Sequence, residues 1–242
     1  MASVKKILLV SDIHGNFPAL MAVHEYFGAN RYNLIINCGD STVYAPFPNQ
    51  VLDWLREHRV VTIAGNTDRK VKRLLRGKSF KKPSKPEKRV MYTSTAAALT
   101  SGNRRYLTRL KKKRYLETAG RKIGVFHGSP AHPDEFLFPD TPEQRFLELA
   151  QGCSAEIIIT GHSHTPFYRV SGKTHFINPG SIGRMFDGDP RASCAELYLG
   201  KDTLAVYHHR ITYPVDAVVR ELEKLGLPAI YSTMYQVGKK LN

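Results

Sequence analysis

Short apolar runs, each closed by a polar cluster, organise much of the chain. Lys6–Val10, Leu34–Asn37, Val60–Ile63, Lys122–Phe126 and Glu156–Thr160 are brief and mostly β-branched, the pattern of strands. Stretches of helical period lie between the early ones. Pro18–Phe27 opens on a proline, which suits a first helical turn. Pro48–His58 sets Val51, Leu52 and Leu55 on one face, and the basic stretch Arg69–Leu75 offers Val71, Leu74 and Leu75 to a core. Strands alternating with helices predict an α/β layer architecture.

The later part changes character. Phe167–Val170 and Thr174–Ile177 flank Ser171-Gly172-Lys173, and Ala195–Leu199 and Leu204–His209 flank Gly200-Lys201-Asp202. Both read as hairpins, expected to form a second sheet packed on the first. Val215–Leu225 has one apolar side and stops at Gly226. Gly77–Arg89 reads as an exposed loop, with Pro83 and Pro86 barring a helix. Thr93–Leu99 and Ser101–Leu110 read as short helices opened by hydroxyl caps.

Charge sharpens this division. The 242 residues carry a formal +15, and residues 69–122 hold 20 of the 36 Lys and Arg against only Glu87 and Glu117. The rest of the chain is near neutral. Residues 69–118 are therefore read as a basic, cap-like insertion within a single domain, 1–242. The basic segment 69–122 suits a polyanionic partner such as a nucleotide or nucleic acid, with Phe80, Tyr92, Tyr106 and Tyr115 able to stack bases. A solvated basic face with these aromatics packed inward is the favoured alternative. Cys38, Cys153 and Cys194 have no paired spacing and are expected to be reduced. With no run of membrane-spanning length and an initial apolar stretch too short for a secretory signal, a cytoplasmic protein is expected, with no membrane partner. A homo-oligomer is compatible with the sequence.

The chemistry lies in five pieces, each following a strand-like run: Ser11-Asp12-Ile13-His14-Gly15-Asn16, Cys38-Gly39-Asp40, Gly65-Asn66-Thr67-Asp68, Phe126-His127-Gly128 and Thr160-Gly161-His162-Ser163-His164. Each alone has an ordinary reading: an Asp capping a turn, a core histidine, a Gly-Asp corner. Together they supply the oxygen and nitrogen donors of a two-metal phosphoesterase site. In this order the set resembles the calcineurin-like metallophosphoesterase superfamily. Asn178-Pro179-Gly180-Ser181 and Asp187-Gly188-Asp189-Pro190-Arg191-Ala192-Ser193 look like its small prokaryotic phosphodiesterase branch.

The resemblance implies an α/β (α+β) fold of two mixed β-sheets packed as a sandwich and flanked by helices. It implies that Asp12, His14 and His164 bind one divalent ion, that Asn66, His127 and His162 bind a second, and that Asp40 bridges them. Manganese is favoured, with iron, zinc or nickel as alternatives; imidazole donors suit such ions better than magnesium or calcium. The implied activity is hydrolysis of a phosphodiester by a metal-bridging hydroxide. A phosphomonoesterase, protein phosphatase or dinucleoside polyphosphate hydrolase is the alternative within enzymes, and a non-catalytic scaffold of the same fold lies outside them.

One departure bears on the substrate. Thr67 stands where many members of the family have a histidine that protonates the leaving oxygen. A neutral hydroxyl is a poor acid near neutral pH, so esters with good leaving groups, such as aryl esters, should be favoured. Thr67→His is expected to raise turnover of alkyl phosphates more than that of aryl diesters. Steady-state rates on both classes check this, and equal gains would count against it.

Overall fold

The computed structural model describes residues 4–28 and 31–242; residues 1–3 and 29–30 lie outside them. Two five-stranded mixed sheets form a sandwich. In the first, β1 (Lys5–Val10) runs parallel to β2 (Leu34–Asn37), which runs parallel to β3 (Val61–Thr62). On the other side of β1 lie β9 (Ala192–Leu199), antiparallel to it, and β10 (Leu204–Ile211). The second sheet begins with a hairpin of β4 (Lys113–Thr118) and β5 (Arg121–Phe126). Next come β6 (Ile157–Ile159), parallel to β5, and β8 (Thr174–Asn178), parallel to β6. The edge is β7 (Phe167–Ser171).

Period-two alternation divides the buried side chains. Ile7 and Leu9 of β1 point between the sheets, where they meet Ile36, Ile123, Val125, Ile157, Ile159, Ile177 and Leu197. Leu8 and Val10 point the other way, into a cluster built with α1 (Phe17–Phe27) and α2 (Pro48–Glu57). Burial on both faces explains the near-continuous apolar sequence of β1. On the far side of the second sheet, Phe146 and Leu149 of α6 (Glu143–Gln151) pack on Phe126, Ile158, Phe167 and Phe176.

Several expectations need correction. The Ala195–Leu199 hairpin joins the first sheet, whereas Lys122–Phe126 and Glu156–Thr160 form strands of the second. Residues 194–199 of β9 are buried on both faces except for Tyr198, and that burial is available beside β1 rather than at an outer edge. Pro86 does not bar a helix but begins one: α4 runs Pro86–Ala98, its proline in the first turn, where a missing N–H costs nothing. Thr93 lies inside α4 with its hydroxyl on the Arg89 and Val90 carbonyls. The cap of α5 (Ser101–Arg109) is Thr100, not Ser101. The helix at Arg69 starts earlier, as α3 (Asn66–Leu74). Strand β4, helix α6 and α8 (Ile230–Val237) were not anticipated; α7 (Val215–Lys224) was.

The basic segment is woven into this frame. Met91, Tyr92, Leu99 and Leu107 join the cluster that holds α1 and α2. Phe80 and Tyr92 are buried, so neither is free to stack on a base. Several of its cations secure local carbonyls: Lys72 holds Leu110, Arg73 holds Ser79, and Arg104 holds Leu99. No helix among the described residues is long and apolar enough to cross a membrane. The three cysteines are free.

Phe146 is fully buried under α6. Phe146→Ala should cost about 3–5 kcal/mol, the range for truncating a core phenylalanine. Urea unfolding followed by circular dichroism checks this, and an unchanged midpoint would show that α6 contributes little to the second sheet.

Candidate metal centre

All five polar pieces fall at the carboxyl ends of strands. The chain leaves β1 at Ser11, β2 at Cys38, β3 at Ile63, β5 at His127 and β6 at Thr160. Stacking of the sheets points these ends at one another. Loop-to-loop bonds then fix the register: Asp12 N–H donates to Gly39 O at 3.0 Å, His14 N–H to Asp40 O at 2.9 Å, and Gly161 N–H to His127 O at 2.9 Å. The His162 N–H crosses between sheets to Asp12 Oδ2 at 2.9 Å.

Turning each donor inward requires an uncommon backbone. Asp12, His14, Asp40, His162 and His164 all have positive φ, between 51° and 68°. L-residues pay roughly 1–2 kcal/mol for that region, and its concentration at one place marks a functional constraint. The loops also approach very closely. A Cβ on Gly161 would lie 2.0 Å from Ser11 Oγ, and one on Gly183 would lie 1.9 Å from Ile13 O.

Two groups of donor atoms result: Asp12, His14 and His164, and Asp40, His127 and His162. In the first, His164 Nε2 lies 3.2 Å from Asp12 Oδ1 and 3.2 Å from His14 Nε2. Asp40 Oδ2 lies 3.9 Å from His14 Nε2 and 3.5 Å from His127 Nε2, so one carboxylate touches both groups. Asn66 closes the second. The outer end of its amide is 2.9 Å from His127 Nε2, 3.0 Å from His162 Nδ1 and 3.1 Å from Asp40 Oδ2. All seven residues singled out from sequence thus meet in one place. Asp68 does not join them: it accepts hydrogen bonds from Gly65, Ser41 and Thr42 N–H and from the Thr42 hydroxyl, tying the loop after β2 to the start of α3.

Outer contacts aim the rings. His127 Nδ1 bonds Cys38 O at 2.9 Å, and His164 Nδ1 bonds Arg184 O, which turns each Nε2 toward the centre. The segment after β8 holds the rear wall. Asn178 donates to Gly161 O and Ser163 Oγ, and Ser181 Oγ to Asp12 O.

The electrostatics reflect crowding. Burial would raise Asp12, but His164 and His127 beside it hold the carboxyl at about 2. Burial likewise opposes ionisation of Asp40, yet His127 and His14 keep it well below the usual range. Burial pushes His14 down to about 3 and His162 down to about 4. His127 is the exception: despite burial, Asp40 lifts it to about 9. Burial and the Asp40 charge raise Asp68 to about 6.

The residues fit divalent cations. Asp12 Oδ1 is buried with no hydrogen-bond partner, though its other oxygen accepts from Ser11 and His162. The Asn66 amide lies within reach of His127, His162 and Asp40, completing a set of polar atoms aimed at one point. An orphaned carboxylate oxygen buried among imidazoles calls for a positive charge beside it. Mixed carboxylate, amide and imidazole donors are those that transition metals take.

A pocket of about 130 Å³ opens over the donors and is also lined by Thr67, Lys88, Arg184 and Lys240. Sequence reasoning missed the last three. Arg184 had a signal available, since it follows the Asn178–Ser181 motif by three residues. Lys88 was hidden in the basic segment, and Lys240 lies near the far end of the chain.

The geometry has counterparts. Residues 6–202 match the family model of the calcineurin-like phosphoesterase superfamily domain. The chain is 27% identical over 239 residues to the uncharacterised protein MJ0912 of Methanocaldococcus jannaschii, covering 92% of this chain and 93% of that one. It is 25% identical over 195 residues to the phosphodiesterase YfcE of Escherichia coli K12, covering 76% and 83%. A crystal structure of a metallophosphoesterase from Sphaerobacter thermophilus superposes with a TM-score of 0.81 at 26% identity, covering 98% and 100%. That of PH1004 from Pyrococcus horikoshii gives 0.86 at 19% identity, covering 97% and 99%, a likeness of fold.

Gly161→Ala should force Ser11 and Asp12 apart from the His162 loop. A loss of about 1–3 kcal/mol is expected, as for other overpacked sites, together with weaker binding of Mn²⁺. Thermal unfolding and calorimetric titration read the two effects, and a variant that keeps both would show that the loops have slack.

Proposed function

Because the chain belongs to the calcineurin-like phosphoesterase superfamily, we propose that it is a divalent-metal-dependent phosphodiesterase with a dinuclear site. The observation that carries this reading is Asp40, whose carboxylate reaches both donor groups. Asp12, His14 and His164 would hold one ion, and Asn66, His127 and His162 the other, with Asp40 shared. Manganese is the ion proposed first, with iron, zinc or nickel as alternatives. When bound, such a pair supplies an activated water and neutralises charge that builds on the phosphoryl oxygens.

The chain's own residues do the rest. Asp12 and Asp40 enter the reaction ionised, and their acceptor oxygens stay fixed because Ser11, His162 and Thr67 N–H groups or hydroxyls occupy the others. Lys88, Arg184 and Lys240 place positive charge over the pocket and favour an anionic ester. Thr67 offers no proton to the leaving group: its hydroxyl donates to Thr42 O at 3.2 Å. Departure without acid assistance supports esters of acidic alcohols. Similarity to a phosphodiesterase supports diesters over monoesters.

Turnover of bis(p-nitrophenyl) phosphate and p-nitrophenyl phosphate with Mn²⁺ tests the reading. The diester should be the better substrate, and chelator should abolish both activities. Asp40→Asn should lower the rate at least ~100-fold, since even outer partners of such ions matter on that scale, and should reduce bound metal measured by mass spectrometry. Preference for the monoester would shift the assignment to a phosphomonoesterase. A chain that takes up no metal would be a scaffold.

A further inference from the structure

Two phenylalanines cover the donor histidines. The Phe136 ring lies parallel to His162, with centroids 4.0 Å apart and planes 13° apart. Phe186 lies parallel to His164 at 4.4 Å and 10°. Phe138 extends the first stack, 6.0 Å from Phe136 and within 14° of its plane. Rings that served only to orient histidines would be expected to sink their outer surfaces into the core. Phe136 is instead 50% exposed and Phe138 38%. All three line a cleft of about 460 Å³ that continues from the pocket over the donors, sharing Phe136, His162, His164, Phe186 and Lys240 with it. That size falls in the range of small-molecule sites, about 300–1,000 Å³, as does the mix of apolar walls with a few polar groups.

Arg184 supplies the charge at the junction. It is only 8% exposed, and its guanidinium lies 3.9 Å from the Tyr44 ring centroid and 5.3 Å from that of Phe186. Its single polar side-chain contact among the described residues is the thioether of Met234, at 3.7 Å. A buried cation without an anion is costly, and a ligand phosphate relieves that cost through paired N–H donors. Lys240, 5.9 Å from the Phe186 centroid, faces the same junction.

We propose that this cleft receives a planar aromatic group of the substrate, stacked on Phe136, Phe138 and Phe186, while Arg184 grips a phosphoryl oxygen. The assignment rests on the phosphoesterase reading and deepens it: the substrate class becomes phosphate esters that carry a flat ring, either directly on the phosphate or one sugar away, as in a nucleotide. Flat partners suit these walls because stacking on an aromatic face tolerates any ring, whereas an extended alkyl chain gains less from them.

Calorimetric binding to the Mn²⁺-loaded protein separates the elements. Phenylphosphonate and methylphosphonate differ only in the ring and cannot be hydrolysed at phosphorus; AMP and ribose 5-phosphate form the second pair. At least one aromatic member should bind about 10-fold or more tightly than its partner, the scale of stacking on a single ring. Phe136→Ala and Phe186→Ala should each shrink that advantage without weakening methylphosphonate. Arg184→Gln should weaken both phosphonates by a similar factor. The pair that shows the gain reveals whether the ring sits on the phosphate or on a sugar. Equal affinities within both pairs, or an advantage kept in both Phe variants, would overturn the aromatic site; unchanged affinities in Arg184→Gln would overturn the clamp. The hydrolase reading fails separately, by absence of turnover of any ester in a protein that still shows the ring preference.

Discussion

Convergence of buried anions and imidazoles is the constraint on which this structure depends. Asp12 and Asp40 lie almost wholly out of water, where a carboxylate is tolerated only beside compensating charge. The imidazoles of His164 and His127 supply part of it. The remainder is visible as an unpartnered oxygen on Asp12. Asp12 Oδ1 finds no hydrogen bond among the described residues, which leaves a place for a cation at the centre of the site. Left-handed backbone at five donor positions is the mechanical cost of meeting it.

The sandwich absorbs that cost. Parallel β1, β2 and β3 in one sheet and β5 and β6 in the other deliver their carboxyl ends to the same edge. Backbone bonds from Asp12, His14 and Gly161 to neighbouring loops, and the Asn178–Ser181 latch behind them, hold each turn from several sides. Asp68 belongs to this support. It is a buried carboxylate raised toward neutrality by burial and by Asp40, yet four donors keep it in place. Its hydrogen bonds tie the loop after β2 to the start of α3 and give Asp68 a structural role.

Legibility in the sequence followed locality. The seven candidate residues were readable because each sits in a short motif after an apolar run, and the folded chain sets them close together. Strand existence was readable for the same reason, but sheet membership was not. Whether Ala195–Leu199 lies beside β1 or across the sandwich depends on pairing over nearly 190 residues, which local alternation does not encode. Pro86 misled because a proline starts a helix as readily as it ends one. The pocket walls were the least legible. Phe136, Phe186 and Lys240 carry no motif; only the folded chain puts them over His162 and His164.

Position of the basic segment changes the meaning of the net charge. Its lysines and arginines suit a polyanion or a solvated face, the latter favoured, and Lys72, Arg73, Arg89 and Arg104 are occupied by carbonyls of their own loops and helices. Buried Phe80 and Tyr92 make the segment part of the helical layer. The positive charge that faces the donors comes from Lys88 of this segment, joined by Arg184 and Lys240 from the later part of the chain. Arg184 differs from the surface lysines in kind. A solvated ammonium is screened and adaptable, whereas a guanidinium held among Tyr44, Phe186 and Tyr231 is desolvated, fixed in direction and without an acidic partner among the described residues. A charge so placed would act over a few ångströms on an anion in the pocket, so the proposed substrate selection rests on three or four wall residues more than on the +15 of the whole chain.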